Sequence, residues 1–183
     1  MSDYGHDLEF GVFITPSVQA ADAVVALAVL ADEVGLDLVT FQDHPYQPSF
    51  LDTWTVLSFV AARTSRVKLS ANVLNIPLRP PAVVARAVAS LDILSGGRAE
   101  LGLGAGGFHD AIAAMGGPRL TPGQAVDALE EAIDVIRELW PASNRAERAT
   151  RASTTGWPGA VAARRRRMTS ASGWVRTSLG CSI

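Results

Sequence analysis

Apolar positions along the first 140 residues recur with two alternating periods. Leu8–Ile14 (LEFGVFI) is apolar and β-branched and stops at Thr15-Pro16, which predicts a strand. From Ala20 to Val34, the residues Val24, Leu27, Ala28, Ala31 and Val34 fall at helical spacing, and Gly35 suits the position just past a helix end. Leu36–Phe41 (LDLVTF) predicts a second strand, and Asp52 the cap of a helix carrying Trp54, Val56, Leu57, Val60 and Ala61. Val67–Leu74 (VKLSANVL) predicts a third strand. Pro80-Pro81 opens a helix through Leu94, which Ser95-Gly96-Gly97 ends. Ala99–Leu103 (AELGL) predicts a fourth strand. Thr121-Pro122-Gly123-Gln124 fits a capping box, and Leu129, Ala132, Ile133, Ile136 and Leu139 form one stripe behind it.

Four consecutive strand-helix units imply a parallel sheet with right-handed crossovers. Such a sheet is either open and doubly wound or part of a barrel, and periodicity does not separate the two. After Trp140 the pattern stops: no strand run and no sustained amphipathic period follow.

Charge sharpens that break. Residues 1–140 carry 8 basic and 17 acidic side chains, whereas residues 141–183 carry 8 arginines and one acid, Glu147. Three readings of this tail stand side by side. It is a basic segment contacting nucleic acid or another anionic surface through Arg164–Arg167, a solvated disordered tail, or the product of a shifted reading frame in GC-rich DNA. The third is favoured, because the break follows directly on a well-formed helix. The expected division is therefore 1–140 as the folded part and 141–183 as a basic tail. With 183 residues and 48% hydrophobic side chains, the chain is long enough for one domain with a core. A single cysteine, Cys181, excludes an internal disulfide. The opening MSDYGHDLEF has no signal-peptide pattern, and Ala20–Ala31 is too short and too charged to span a bilayer. A cytoplasmic protein with no membrane partner is the expectation.

Gly102-Leu-Gly104-Ala-Gly106-Gly107 formally satisfies G-x-G-x-x-G, a weak signal by itself. It sits on the fourth unit rather than the first, no strong helix starts at Gly107, and no strand ending in an acid follows about 20 residues on. A dinucleotide loop is therefore disfavoured. The string suits a strand end that must let a flat ligand approach the backbone. His6, His44 and His109 lack metal-ligand spacing, and no G-x-S-x-G, Walker or paired-carboxylate signature is present. On chemistry alone, His44 is equally a proton-transfer group or an ordinary loop histidine.

The run Ser95-Gly-Gly-Arg98-Ala-Glu-Leu-Gly-Leu-Gly104-Ala-Gly106 resembles the fourth strand of the bacterial-luciferase-like flavin oxidoreductases. FGVF at 10–13, VGLDLVTFQDH at 34–44, TSRVKLSANVLN at 64–75 and RPPAVVARAVASLDILSGGR at 79–98 support it in the same order. The resemblance covers roughly residues 8–140 and is specific as a set. It implies a (β/α)8 TIM-barrel fold, of which about four βα units are present, leaving an incomplete barrel with an irregular basic tail. It implies an oxidoreductase or monooxygenase using FMN or the deazaflavin coenzyme F420 on a small-molecule substrate, with O2 or through F420. His44 would be the catalytic proton-transfer residue. Phe13, Asp43, Asn72, Val73, Gly104, Ala105 and Gly106 would bind the cofactor, Asn72-Val73 at the position where the family often has a cis peptide. Arg98 is read as structural, pairing with an acid at the other end of the barrel. A half barrel leaves edge strands and an apolar interior open, which favours association with a second copy and puts activity in doubt. The alternative is a non-enzymatic remnant, or an α/β binding module whose Arg-rich tail meets an anionic partner.

Overall fold

In the computed structural model, residues 8–140 and 172–175 are described. Strand β1 (Gly11–Ile14) leads through a 3-10 turn into helix α1 (Ala21–Glu33), followed by β2 (Leu38–Phe41) and α2 (Thr53–Ala61). Then come β3 (Lys68–Ala71), β4 (Leu74–Asn75), α3 (Pro81–Ser95), β5 (Leu101–Gly104), α4 (His109–Ala114), α5 (Pro122–Leu139) and β6 (Ser172–Val175).

The start and stop signals act as the sequence predicts. The Asp52 carboxylate accepts from Thr55 N–H at 2.8 Å, capping α2. Gly96 adopts a left-handed φ of 72° and closes α3. Thr121 and Gln124 form the reciprocal capping box of α5. Two boundaries move inward. The first strand begins at Gly11, not Leu8, because Phe10 N–H is taken by the Asp37 carboxylate at 2.8 Å. The third is broken after Ala71 and resumes at Leu74.

β1, β2 and β3 pair in parallel, with Gly11 opposite Leu38 and Leu38 opposite Lys68. β3 continues to the fourth strand through a parallel bridge between Leu69 and Ala99, and β4 pairs with β5 in parallel through Leu74 opposite Leu103 and Asn75 opposite Gly104. The strands thus follow chain order, without the reversal at which a doubly wound sheet turns back. β5 is buried along its whole length, as a parallel strand covered on both faces must be. The core joins Val39, Phe41, Leu69, Leu101 and Leu103 of the strands to the inward stripes of α1, α2, α3 and α5. Trp140 closes it, its indole N–H donating to Ala85 C=O at 3.3 Å. Leu27, Val34 and Leu139, part of the apolar stripes by spacing, are exposed. No helix among the described residues is long and apolar enough to cross a membrane.

Beyond Trp140 the described residues are Ser172–Val175, which lie antiparallel on β5 with Leu101 opposite Val175. The apolar periodicity gives no sign of this strand. Arg164–Arg167, His6 and Cys181 lie outside the described residues.

Two buried charges fasten the N-terminal ends of the strands. Arg98 uses all five guanidinium donors, on the carbonyls of Ala61, Thr64, Val67 and Ser95 and on the Thr64 hydroxyl. Its hydrogen bonds go to backbone oxygens and the Thr64 hydroxyl, and the acid expected from the sequence acts at longer range: burial opposes the guanidinium charge and prevails, while the Asp32 charge favours it. Asp32 accepts from the N–H groups of Ser65, Arg66 and Val67 and from the Ser65 hydroxyl. Burial pushes this carboxyl upward, but the four donors outweigh it and hold it below the usual carboxylate range. The stabilisation is therefore present above the unfolded-state pKa, near the ordinary 3.8, and is lost as pH falls through the lower folded-state value. Asp32→Ala is expected to cost about 1–3 kcal/mol at neutral pH, read as a shift of the urea midpoint, and the difference from wild type is expected to shrink on acidification.

Candidate active site

The break in the third predicted strand lies at the peptide bond Asn72–Val73, which is cis. Asn72 N–H still donates to Phe41 C=O at 2.7 Å, so the chain leaves the ladder only after that bond. The glycines of β5 and its loop answer to this bend. A Cβ on Gly104 would lie 2.5 Å from Val73 Cγ2. At Gly106, φ is +79°, and a Cβ would sit 2.7 Å from Ile112 Cδ1 and 2.9 Å from Pro77 Cγ. The G-x-G spacing thus serves two steric needs, one on each side of Ala105.

Below the bend lies a charged knot. The Asp43 carboxylate accepts from Arg79 Nε at 2.9 Å, from Arg79 Nη2 at 2.8 Å and from Asn75 N–H at 2.8 Å. Arg79 reaches on to Asp52 at 2.6 Å, the residue that caps α2. Burial works against the Arg79 charge, but its hydrogen bonds and attraction to Asp43 and Asp52 prevail and raise its pKa. Burial likewise pushes Asp52 upward, and Arg79 with the Thr55 donors holds it low.

Above the bend, His44 is packed edge-on against aromatic rings. Its centroid lies 5.4 Å from Tyr46, 5.5 Å from Phe108 and 6.2 Å from Phe50. Its Nδ1 is 2.7 Å from the Tyr46 hydroxyl. Burial raises the Tyr46 phenol, the Asp43 charge adds to this, and a hydrogen bond from the Asn75 side chain opposes both. Asn75 is 5% exposed, and its Oδ1 has no partner among the described residues.

These groups surround a cavity of ≈ 220 Å³ at the C-terminal ends of β2, β4 and β5. His44, Asp43, Asn72, Val73, Gly104, Ala105 and Gly106 all line it. Phe13 does not; it is 56% exposed at the end of β1. Asp43 is in the wall, but the contacts of its carboxylate run to Arg79 and the Asn75 backbone. Tyr46, Asn75 and Phe108 also line the cavity and were not singled out by sequence. A signal existed for Asn75, a polar residue inside an apolar run, and for Tyr46, two places from His44. A larger cavity of ≈ 410 Å³ adjoins at Ala105, between Ile76–Pro81, Met115–Leu120 and α5, and no titratable side chain lines it. The proton-bearing groups therefore gather in the smaller one. Among the described residues no cluster of His, Cys or carboxylates could hold a metal ion.

Comparison with known proteins gives a consistent picture. A sequence model of the luciferase-like monooxygenases matches residues 8–173. An F420-dependent glucose-6-phosphate dehydrogenase of Amycolatopsis mediterranei is 39% identical over 127 residues, covering 66% of this chain and 38% of that protein. An F420-dependent secondary alcohol dehydrogenase, solved with an F420-acetone adduct, superposes with a TM-score of 0.64 at 25% identity over 73% of this chain and 42% of its own. The FMN-bound oxygenating constituent of 3,6-diketocamphane monooxygenase from Pseudomonas putida gives 0.64 at 26% identity, over 72% and 39%. The chain spans about two fifths of the length of the curated relatives it matches.

Arg79→Ala leaves the Asp43 carboxylate buried without its countercharge and is expected to destabilise the fold by about 3–5 kcal/mol, read by chemical denaturation. Gly104→Ala drives a methyl group into Val73 and is expected to cost about 1–3 kcal/mol. Gly107→Ala, with open space around its Cβ, is the control expected to stay near wild type.

Proposed function

The chain belongs to the luciferase-like monooxygenase family, and from that premise we propose that residues 8–140 are the first half of a (β/α)8 barrel whose strand ends seat the reactive edge of FMN or F420. The observation that carries this reading is the convergence of His44, the cis Asn72–Val73 bond and Gly104–Gly106 around one cavity. Barrel enzymes place their chemistry at this end of the strands. The chain order of β1 to β5 fits a barrel wall.

The residues present fit a planar, hydrogen-bonding ring. The unpartnered Asn75 Oδ1 offers an acceptor, and the bend at Val73 with Gly104 and Ala105 offers an apolar floor. The cavity of ≈ 220 Å³ is below the roughly 300–1,000 Å³ usual for a small-molecule site. It accommodates the reacting edge, and the remainder of the cofactor extends beyond it. When bound, such a ring supplies hydride transfer, or oxygen activation in the case of FMN. The chain's own task is to hold the substrate oxygen near His44 and to keep or move a proton at the imidazole nitrogen not engaged by Tyr46. Phe50 and Phe108 pack edge-on against that ring. The substrate is a small molecule with an oxygen that gains or loses a proton as its carbon is reduced or oxidised.

In this reading residues 8–140 supply about four of the eight βα units, and phosphate grips in such barrels come from loops after the seventh and eighth strands, outside those units. The full chain is expected to quench the fluorescence of FMN or F420 with a micromolar dissociation constant. His44→Ala is expected to keep that quenching while slowing single-turnover reduction or oxidation of the bound ring about 10²–10⁴-fold. If neither FMN nor F420 fluorescence responds to the protein, the reading fails.

A further inference from the structure

We propose that the larger cavity, between Ile76–Pro81, Met115–Leu120 and α5, is a second subsite that takes the hydrocarbon body of a neutral ketone or alcohol whose oxygen reaches past Ala105 towards His44. The chemistry of its wall selects that occupant. Not one of its lining residues carries a nitrogen or oxygen in its side chain. Backbone N–H groups, which grip anions where side chains do not, are spent as well. Pro77, Pro80, Pro81 and Pro118 have none. Those of Met115, Gly116 and Gly117 donate to carbonyls of α4, the last to Ile112 C=O at 2.9 Å. A phosphate, a carboxylate or a sugar entering here gives up its water for little in return, whereas a hydrocarbon surface gains by the same transfer.

Size and stiffness fit a ligand. The volume of ≈ 410 Å³ lies within the roughly 300–1,000 Å³ usual for a small-molecule site. The prolines fix their backbone angles, so this part of the wall stands formed before a ligand arrives and little ordering entropy is lost on binding. Met115, 52% exposed, contributes a flexible thioether that adapts to the shape of the occupant.

The two cavities are neighbours. Ala105 lines both, and Ile76 of the larger follows Asn75 of the smaller. The division of labour is then simple: carbon is held in one cavity, and the reacting oxygen lies among His44, Tyr46 and Asn75 in the other. This role as a substrate subsite rests on the reading above; the preference of the larger cavity for uncharged hydrocarbon does not.

The test follows methyl proton–carbon spectra of the full chain as cyclooctanone is added, with glucose 6-phosphate added to a parallel sample. Cyclooctanone is expected to shift the methyl signals of Ile76, Leu78, Met115, Leu120 and Leu129 and to saturate below about 1 mM, and glucose 6-phosphate to leave them in place. Ala128→Phe fills the cavity from α5 and is expected to weaken the ketone at least about tenfold, with an unchanged circular dichroism spectrum. Shifts confined to exposed methyls such as those of Leu27, Leu30 and Leu94, equal shifts with the sugar phosphate, or full affinity in folded Ala128→Phe overturn the proposal. So does an affinity that falls as protein concentration rises, which would put a second copy in the cavity. Should Ala128→Phe not fold, the wild-type methyl map and the sugar phosphate decide. Quenching of FMN and F420 is read on the same samples. Ketone binding without ring binding sinks the functional reading and leaves the apolar site standing, and ring binding without ketone binding does the reverse. A ketone that displaces the ring shows both in one space and overturns the assignment of two subsites.

Discussion

The Asp43 carboxylate holds the site together. It lies at the end of β2, is almost fully buried, and receives both prongs of Arg79 and the N–H of Asn75. Arg79 carries the link to Asp52, whose other oxygen caps α2. One buried charge thus ties together a strand end, the short strand past the cis bond, the start of a helix and the loop before α3. A buried charge is tolerable only when fully paired, and this pairing fixes the backbone of Asn75, which lines the same cavity as Tyr46 and His44. The shape of the cavity wall depends on this pair, whose polar atoms are engaged with one another and with the Asn75 backbone.

The glycines beside this pair have local physical reasons. Gly104 is needed because Val73 bends toward it, and Gly106 because Ile112 and Pro77 close on it. A glycine string that superficially reads as a phosphate loop is here a record of two tight approaches between neighbouring segments.

Much of the fold was legible because its signals are local. Caps at Asp52 and Thr121, the left-handed Gly96 and the alternation of strand and helical periods each depend on a few adjacent residues, and each appears where expected. The site was partly legible. His44, Asn72, Val73 and the Gly104–Gly106 loop came from resemblance, and the structure brings them together, while Phe13 stands apart. What escaped is long-range. The Arg79–Asp43 pair spans 36 residues, and Arg98 reaches the Ala61 carbonyl across 37. Two elements escaped for another reason: the six residues of α4 are too few for a helical period to show, and β6 (SGWV) lacks the apolar run that marks the other strands.

Each face of a strand's ladder can be occupied only once. The far edge of β5, where a parallel successor would continue the wall, already carries Ser172–Val175 running the opposite way. Any segment arriving to extend the wall must first evict that occupant and reclaim the same N–H and C=O groups. In the proposed barrel, completion of the wall would be an exchange of partners, not a simple addition, and its equilibrium would depend on how firmly four residues are held.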